Sequence, residues 1–342
     1  IILSLIIFFF STDNVKAKAF NINNVEISEP FEINFDKNKV IDIGFRKAFS
    51  ELILIITNSA DQEKIGKVGL NEIKGMIESF TIKEEKFINE IYYVNLGVSF
   101  NKKQIYNYLE RKNIFPSIPI KNKFLFIPIL IEENKKDLLI FSNNKIFTEW
   151  NSSINNSHLI EYILPTEDLE DINLIKSNFE SIEQYNFKEI TNKYDLEDSI
   201  IALIFKNDKE IRVLSRITVK NNVVLKNQSF SNIDLENKRQ IEKIINELKI
   251  IYEDYWKIFN QINTSIKLYL NVKVKNSDNS KIADFEKYLN EMDLINDFII
   301  TRFDKDFTYY QIIFNGAREI FLKKMSTYNF NFDTQNKIWL LK

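Results

Sequence analysis

Apolar and polar positions follow one another along this chain in a few clear rhythms, and each rhythm predicts an element. Phe31, Ile33 and Phe35 alternate with polar residues, as one face of a strand does. After Asp36, a predicted N-cap, apolar residues recur every three or four positions at Ile41, Phe45, Ala48, Phe49, Leu52, Ile53 and Ile56, the stripe of an amphipathic helix. A second helix is expected near 71–80, after the Gly66/Gly69 turn. Thr81–Phe87 and Ile91–Phe100, rich in β-branched and aromatic side chains, read as a hairpin around Asn89-Glu90. Asn101 is expected to cap a helix carrying Ile105, Tyr108 and Leu109, and Pro116 and Pro119 to close this first unit.

The pattern then changes. Phe124–Ile131 is almost unbroken apolar sequence of strand length, which predicts a strand covered on both faces of an α/β sheet. Leu159–Leu164 and Ile200–Phe205 repeat it, with helical stretches expected near 144–152, 167–178 and 186–194, and a hairpin turns at Lys220-Asn221. A long helix over about 235–262 carries Ile241, Ile244, Ile245, Leu248, Ile251, Tyr255, Phe259 and Ile262, so Tyr252 and Trp256 are expected in the core. The last stretch reads strand (266–274), helix (284–292), strands (298–303 and 309–314), helix (317–325) and one extended segment (330–341), the β-α-β-β-α-β order of the ferredoxin-like motif. The expected fold class is therefore α/β and α+β. It comprises a small α+β domain (20–120), a central α/β sheet domain with a long closing helix (121–262) and a C-terminal ferredoxin-like βαββαβ domain (263–342).

Composition narrows the chemistry. Of 342 residues none is Cys, one is His and six are Gly, with none between Gly97 and Gly316. Disulfides, thiolate catalysis, zinc held on Cys and His, and a glycine-rich phosphate loop in the middle of the chain are thereby excluded. A formal net charge of -2 argues against a nucleic-acid partner or a polybasic membrane patch. The opening IILSLIIFFF, followed by a polar stretch and Ala17-Lys18-Ala19, has the form of a signal peptide over 1–19 with a mature start at Phe20. An initiator Met and a basic n-region are missing, so the first few residues are expected to lie outside this sequence. The alternative is an inner-membrane anchor formed by residues 1–10. A periplasmic location follows in the first case, with membrane contact only through the anchor in the second.

Candidate chemistry is sparse. Ser142 and Lys145 match S-x-x-K and Ser277-Asp278-Asn279 matches S-D-N, but the K-x-G of Lys67-Val68-Gly69 precedes both, so a penicillin-recognising site is rejected. His158 stands just before a strand and is expected to be solvated or capping. Glu167, Asp168, Glu170 and Asp171 are a candidate carboxylate cluster, although Thr166 as an N-cap followed by acids in a first turn accounts for them.

Several of these segments resemble one family. Phe126-Ile127-Pro128-Ile129-Leu130 and Leu164-Pro165-Thr166-Glu167-Asp168-Leu169-Glu170-Asp171 are similar to a strand-Pro and a G-D-L-E-D-like segment of the bacterial envelope proteins grouped as domain of unknown function 2066. Asn144 and Trp150 resemble the ends of that family's N-P-W-x-x-x-W stretch, in which this chain carries Lys145 and Ile146 at the Pro and the first Trp. The resemblance spans about residues 25–250, and it implies a signal-bearing periplasmic or membrane-associated protein with no assigned activity. The middle unit is also similar in layout to TolB-like and CsgG-like envelope domains. The functional expectation is a non-enzymatic interaction or assembly module with an envelope protein as partner and no cofactor. A ligand-binding or glycan-hydrolysing protein using carboxylates is the alternative. No catalytic, cofactor-binding or metal residue is expected; Asn144, Trp150, Glu167 and Asp168 are the candidate surface or structural residues.

Overall fold

The computed structural model describes residues 20–152, 158–208 and 210–342. The expected signal segment lies outside the described residues. The architecture is mixed α/β with three sheets, and elements follow in chain order.

The first sheet comprises β1 (Asn21–Pro30), β2 (Ile77–Ile88) and β3 (Ile91–Phe100), all antiparallel with β3 central. Between β1 and β2 run α1 (Lys37–Ile56), α2 (Ser59–Ile65) and α3 (Leu70–Met76), and α4 (Lys102–Arg111) follows β3. The stripe on α1 is buried from Phe45 to Ile56 as its spacing predicted, with Ile41 only partly covered, and the Asp36 side chain accepts from Asn38 N–H at 2.9 Å. Gly44 brings α1 close to the sheet, since a Cβ there would meet Leu96 Cδ1 at 2.5 Å. Asn89 and Glu90 both adopt positive φ, 51° and 60°, as a two-residue hairpin turn with the twist of its strands requires. Asn101 caps α4 by accepting from Gln104 N–H at 3.0 Å.

Two expectations fail in this region. Phe31, Ile33 and Phe35 lie beyond the strand: β1 is the preceding segment, it ends at Pro30, and Phe35 N–H closes a turn on the Glu32 carbonyl. Phe31 and Phe35 face each other across that turn with ring centroids 4.7 Å apart, while Ile33 is fully exposed. The helix expected to reach residue 80 stops at Met76. Gly75 weakens its last turn, and Ile77, Phe80 and Ile82 have better use in the ladder with β3. The short helix α2, capped by Asn58, was not foreseen.

The second sheet opens with β4 (Asn122–Glu132). In chain order follow β5 (Asp137–Leu139), α5 (Lys145–Glu149), β6 (Ile160–Ile163), α6 (Leu169–Ser177), α7 (Lys188–Thr191), β7 (Ser199–Asn207), β8 (Glu210–Val219), β9 (Asn222–Phe230) and α8 (Lys238–Phe259). The order is β5-β4-β7-β8-β9, with β6 also on β4; the β4 pairs with β6 and β7 are parallel and the rest antiparallel. Both faces are covered, as the unbroken apolar runs predicted. Phe124, Phe126 and Leu130 join the core beneath α8, and Leu125, Ile127, Ile129 and Ile131 join the opposite core with Ile175 and Ile190. Fully burying a side chain of this size contributes roughly 1.5–3 kcal/mol, so this one strand carries a large part of the drive to fold.

The third sheet contains β10 (Lys267–Lys275), β11 (Ile295–Phe303) and β12 (Phe307–Asn315), with α9 (Asn279–Glu291) between the first two. It is completed by α10 (Arg318–Ser326), β13 (Phe332–Asp333) and β14 (Ile338–Leu341). The order β11-β12-β10 is that of the expected split motif. The end of the chain departs from it. The expected single strand over 330–341 is two, β13 and β14, and β14 lies parallel to β10. In the plain motif the last strand would be antiparallel to β10. The polar run after Asp333, whose carboxylate accepts from Gln335 N–H at 3.1 Å, turns the chain back and inserts β14 between β10 and β13.

By internal contacts the chain forms two compact units, which differ from the three consecutive domains expected. One gathers the described residues up to Leu52 with Lys67–Phe115 and Ile262–Lys342; the other gathers Ile53–Gly66 with Pro116–Gln261. Within the first, α4 meets the third sheet through Lys102, which donates to the Met292 carbonyl at 2.8 Å, and Glu110, which pairs with Lys267 at 2.9 Å.

Candidate functional site

The residues singled out from sequence serve the fold of the second unit. Along one edge of β4, β6 pairs as far as Leu125 and β5 starts at Leu130, leaving a gap that contains Pro128. A proline has no N–H to leave unpaired there. Its carbonyl accepts from Asn144 Nδ2 at 3.1 Å, and Asn144 Oδ1 accepts from Ile146 N–H at 3.0 Å to cap α5. Asn144 is wholly buried in this double role. Trp150, also wholly buried, stacks on Phe126 at 3.8 Å and meets the edge of Tyr162 at 5.3 Å. Both are core residues of the α5 side of the sheet.

Glu167 and Asp168 hold loops. Glu167 Oε1 accepts from Ser142 N–H at 3.0 Å, and the Ser142 hydroxyl, then this N–H, hold its carboxyl below the ordinary range. Asp168, not Thr166, caps α6: its Oδ1 accepts from Glu170 N–H at 2.9 Å, while Thr166 N–H is used by Tyr194 Oη. The cap falls at Asp168 because α6 begins only at Leu169. Lys193 gathers the acids, donating to Asp171 at 2.7 Å, Asp168 at 2.9 Å and Glu170 at 3.3 Å. Lys145 pairs with Glu236 and Asp278 caps α9, so the S-x-x-K and S-D-N residues have ordinary structural partners.

Sequence reading missed a buried ionic row on α8. Lys249, Glu253 and Lys257 stand at helical spacing and are almost completely covered. Both Glu253 oxygens accept from Leu159 N–H at 3.1 Å, and one from Ile160 N–H at 2.8 Å, so this carboxylate completes the start of β6. Burial nevertheless holds its pKa above the ordinary value. Lys257 donates to the Leu54 carbonyl at 2.6 Å. His158, half-buried, is pushed below its ordinary pKa by burial and then by Lys249 and Lys257, which differs from the solvated or capping role expected. The signal was present in the sequence: 249 and 253 border the apolar positions 245, 248, 252 and 256 on the helical wheel.

The feature with the form of a binding surface lies in the first unit. β2 is twelve residues long, every residue is at least partly exposed, and among the described residues it pairs only with β3. An unpaired strand edge offers N–H and C=O groups to another chain. Phe80, Ile82 and Phe87 lie opposite the buried Val98, Leu96 and Tyr92, so they belong to the sheet's inner face, yet they are 45%, 39% and 57% exposed. The sheet stops one strand short of covering them; Phe45 on α1 meets Phe80 edge-on at 5.0 Å, and Phe31 meets Phe87 at 4.7 Å. Where β2 ends, Phe31, Phe35, Phe87 and Tyr92 line a groove of about 370 Å³ rimmed by Lys37, Glu85 and Lys86. Glu85 pairs with Lys37 at 2.8 Å and accepts from Tyr92 Oη at 3.0 Å, and these two donors, Lys37 first, hold its carboxyl below the ordinary range.

Among the described residues no group of three or more His, Asp and Glu is placed to hold a metal ion, and no helix is long and apolar enough to cross a membrane. In comparisons with known proteins, no family model matches the chain and no curated protein matches it.

Proposed function

We propose that this protein is a non-enzymatic interaction module of the bacterial cell envelope, and that it docks a partner protein by strand addition to β2. The observation that carries the reading is an apolar inner-face row, Phe80, Ile82 and Phe87, left half-covered at the free edge of a long strand. An added strand would satisfy the open backbone groups of β2 and cover those side chains together, the two gains that make this mode of recognition specific. The apolar opening followed by Ala17-Lys18-Ala19 and the resemblance to envelope proteins support the compartment. The experiment places a photo-crosslinking amino acid at Thr81 or Lys86 of the full chain in its own envelope, with a control at Lys226 on β9. The reading expects a protein adduct from the β2 positions and none from the control. Absence of any β2 adduct, or fractionation that finds the mature chain only in the cytoplasm, overturns it.

A further inference from the structure

We infer that the strand added to β2 is β2 of a second copy of this chain, antiparallel about a two-fold axis, with Phe80 opposite Phe87, Ile82 opposite Glu85 and Lys83 opposite Glu84. The inference rests on the docking role of β2 and names its occupant.

A bulge selects this register. Against β3, Ile82 pairs with Leu96 and Glu84 with Asn95, so Lys83 is an extra residue on β2. Ahead of it the inner-face positions are Phe80 and Ile82; beyond it they are Glu85 and Phe87, opposite the buried Val94 and Tyr92. The inner row thus switches from even to odd positions at Lys83. In an antiparallel pair, residues directly opposite share a face. An unbroken strand paired with itself sets even positions against even ones. This bulged strand sets its inner row against itself only when an even position meets an odd one, which restricts the registers to steps of two.

Side-chain chemistry then decides among the steps. In the inferred register Phe80 meets Phe87 twice, Lys83 meets Glu84 twice, and Thr81 meets Lys86 on the outer face. Moved by two residues one way, Ile82 meets Phe87, but Lys83 meets Lys86, a like-charge pair, and the outer-face Glu84 falls opposite the inner-face Glu85, so the faces no longer match. Moved the other way, Phe80 meets Glu85 and Phe87 meets Glu78, placing each inner-face ring against a carboxylate. Only the inferred register pairs rings with rings and opposite charges together, and a two-fold axis makes each gain twice. The present partners of these charges are exchangeable surface contacts: Glu84 with Lys86 on the same strand, and Lys83 on the neutral Asn24 side chain at 3.2 Å.

The chain has no Cys, so introduced cysteines report cleanly. Sedimentation of the purified full chain over a concentration series is expected to show the mass of two chains. K83E and E84K should each weaken the dimer by about ten-fold, and the double variant K83E/E84K should restore it. T81C mixed with K86C should form a disulfide-linked pair under mild oxidation, whereas T81C alone should not. Circular dichroism confirms that each variant is folded. The mass of one chain at every concentration overturns the inference, as does a dimer that the charge exchange fails to restore or the cysteine pair fails to link. A monomer whose β2 still yields the envelope photo-adduct overturns the second copy and leaves the docking reading standing; a monomer without that adduct overturns both.

Discussion

Asn144 illustrates how one residue can look like part of a site and prove to be part of a scaffold. Its side chain satisfies two backbone groups, the Pro128 carbonyl and the Ile146 N–H, at a point where no water reaches. Asn144→Ala leaves both buried and unpaired, and the expected loss is about 2 kcal/mol in urea unfolding; an unchanged midpoint would return the residue to the list of functional candidates. His158 makes a prediction of opposite origin. Its folded-state pKa lies below the ordinary value because burial, Lys249 and Lys257 all disfavour the imidazolium. The unfolded chain therefore takes up the proton first as pH falls, near an ordinary pKa of about 6.5. The stability held above that pH is lost as pH drops from the ordinary value to the lowered one. Glu253 faces the same corner but its carboxylate is committed to the Leu159 and Ile160 N–H groups. The urea midpoint should thus fall more between pH 7.5 and 5.5 for the native chain than for His158→Asn, and parallel profiles would refute the assignment.

At the scale of elements, what was legible followed from local rules, and what was not depended on partners far away in sequence. The β2–β3 and β8–β9 hairpins could be placed because Asn89-Glu90 and Lys220-Asn221 accept positive φ between alternating runs. β4 could be placed because a strand buried on both faces has no polar alternation to hide it. The Phe31, Ile33, Phe35 triplet has the period of a strand but no ladder partner, and only the β1–β3 register, set by residues some seventy positions on, reveals this. The same holds for the C-terminal turn that splits β13 from β14, and for Lys249 and Glu253, whose burial depends on β6. The docking edge is not legible at all, because residue type and resemblance single out Asn144, Trp150, Glu167 and Asp168 as surface or structural positions, whereas the free edge of β2 is a property of sheet order. Packing of α1 on the first sheet gives a test at this scale. Gly44→Ala gains about 1 kcal/mol of helix propensity, but the new Cβ sits 2.5 Å from Leu96 Cδ1 and 2.9 Å from Ile27 Cδ1, both on buried side chains. Overpacking of about 1–3 kcal/mol should outweigh the gain, lowering the unfolding midpoint; a rise would mean that α1 moves freely on the sheet.

For the whole molecule, the consequence of greatest reach is that neither compact unit is a continuous stretch of chain. Ile53–Gly66 belongs with Pro116–Gln261, and the contacts explain why. Ser59 N–H donates to Asp254 at 2.8 Å, Lys257 donates to the Leu54 carbonyl at 2.6 Å, and Ser117 N–H donates to the Ile56 carbonyl at 2.7 Å. Ile53 and Ile56 are buried, and Ile55 packs on the core beneath α8. A fragment cut at the borders that hydrophobic patterning indicates, 121–262, removes this whole segment. It leaves the buried Lys257 ammonium without the Leu54 carbonyl, a loss of about 1–3 kcal/mol before the apolar burial is counted. Joining residues 53–66 to 116–261 through a short Gly/Ser linker should restore these groups without any residue of the other unit. The joined fragment is expected to melt cooperatively, roughly 10 °C above 121–262, when both are followed by circular dichroism. Equal melting temperatures would mean that the segment contributes nothing to the fold of this unit, and that the boundary read from sequence is the physical one.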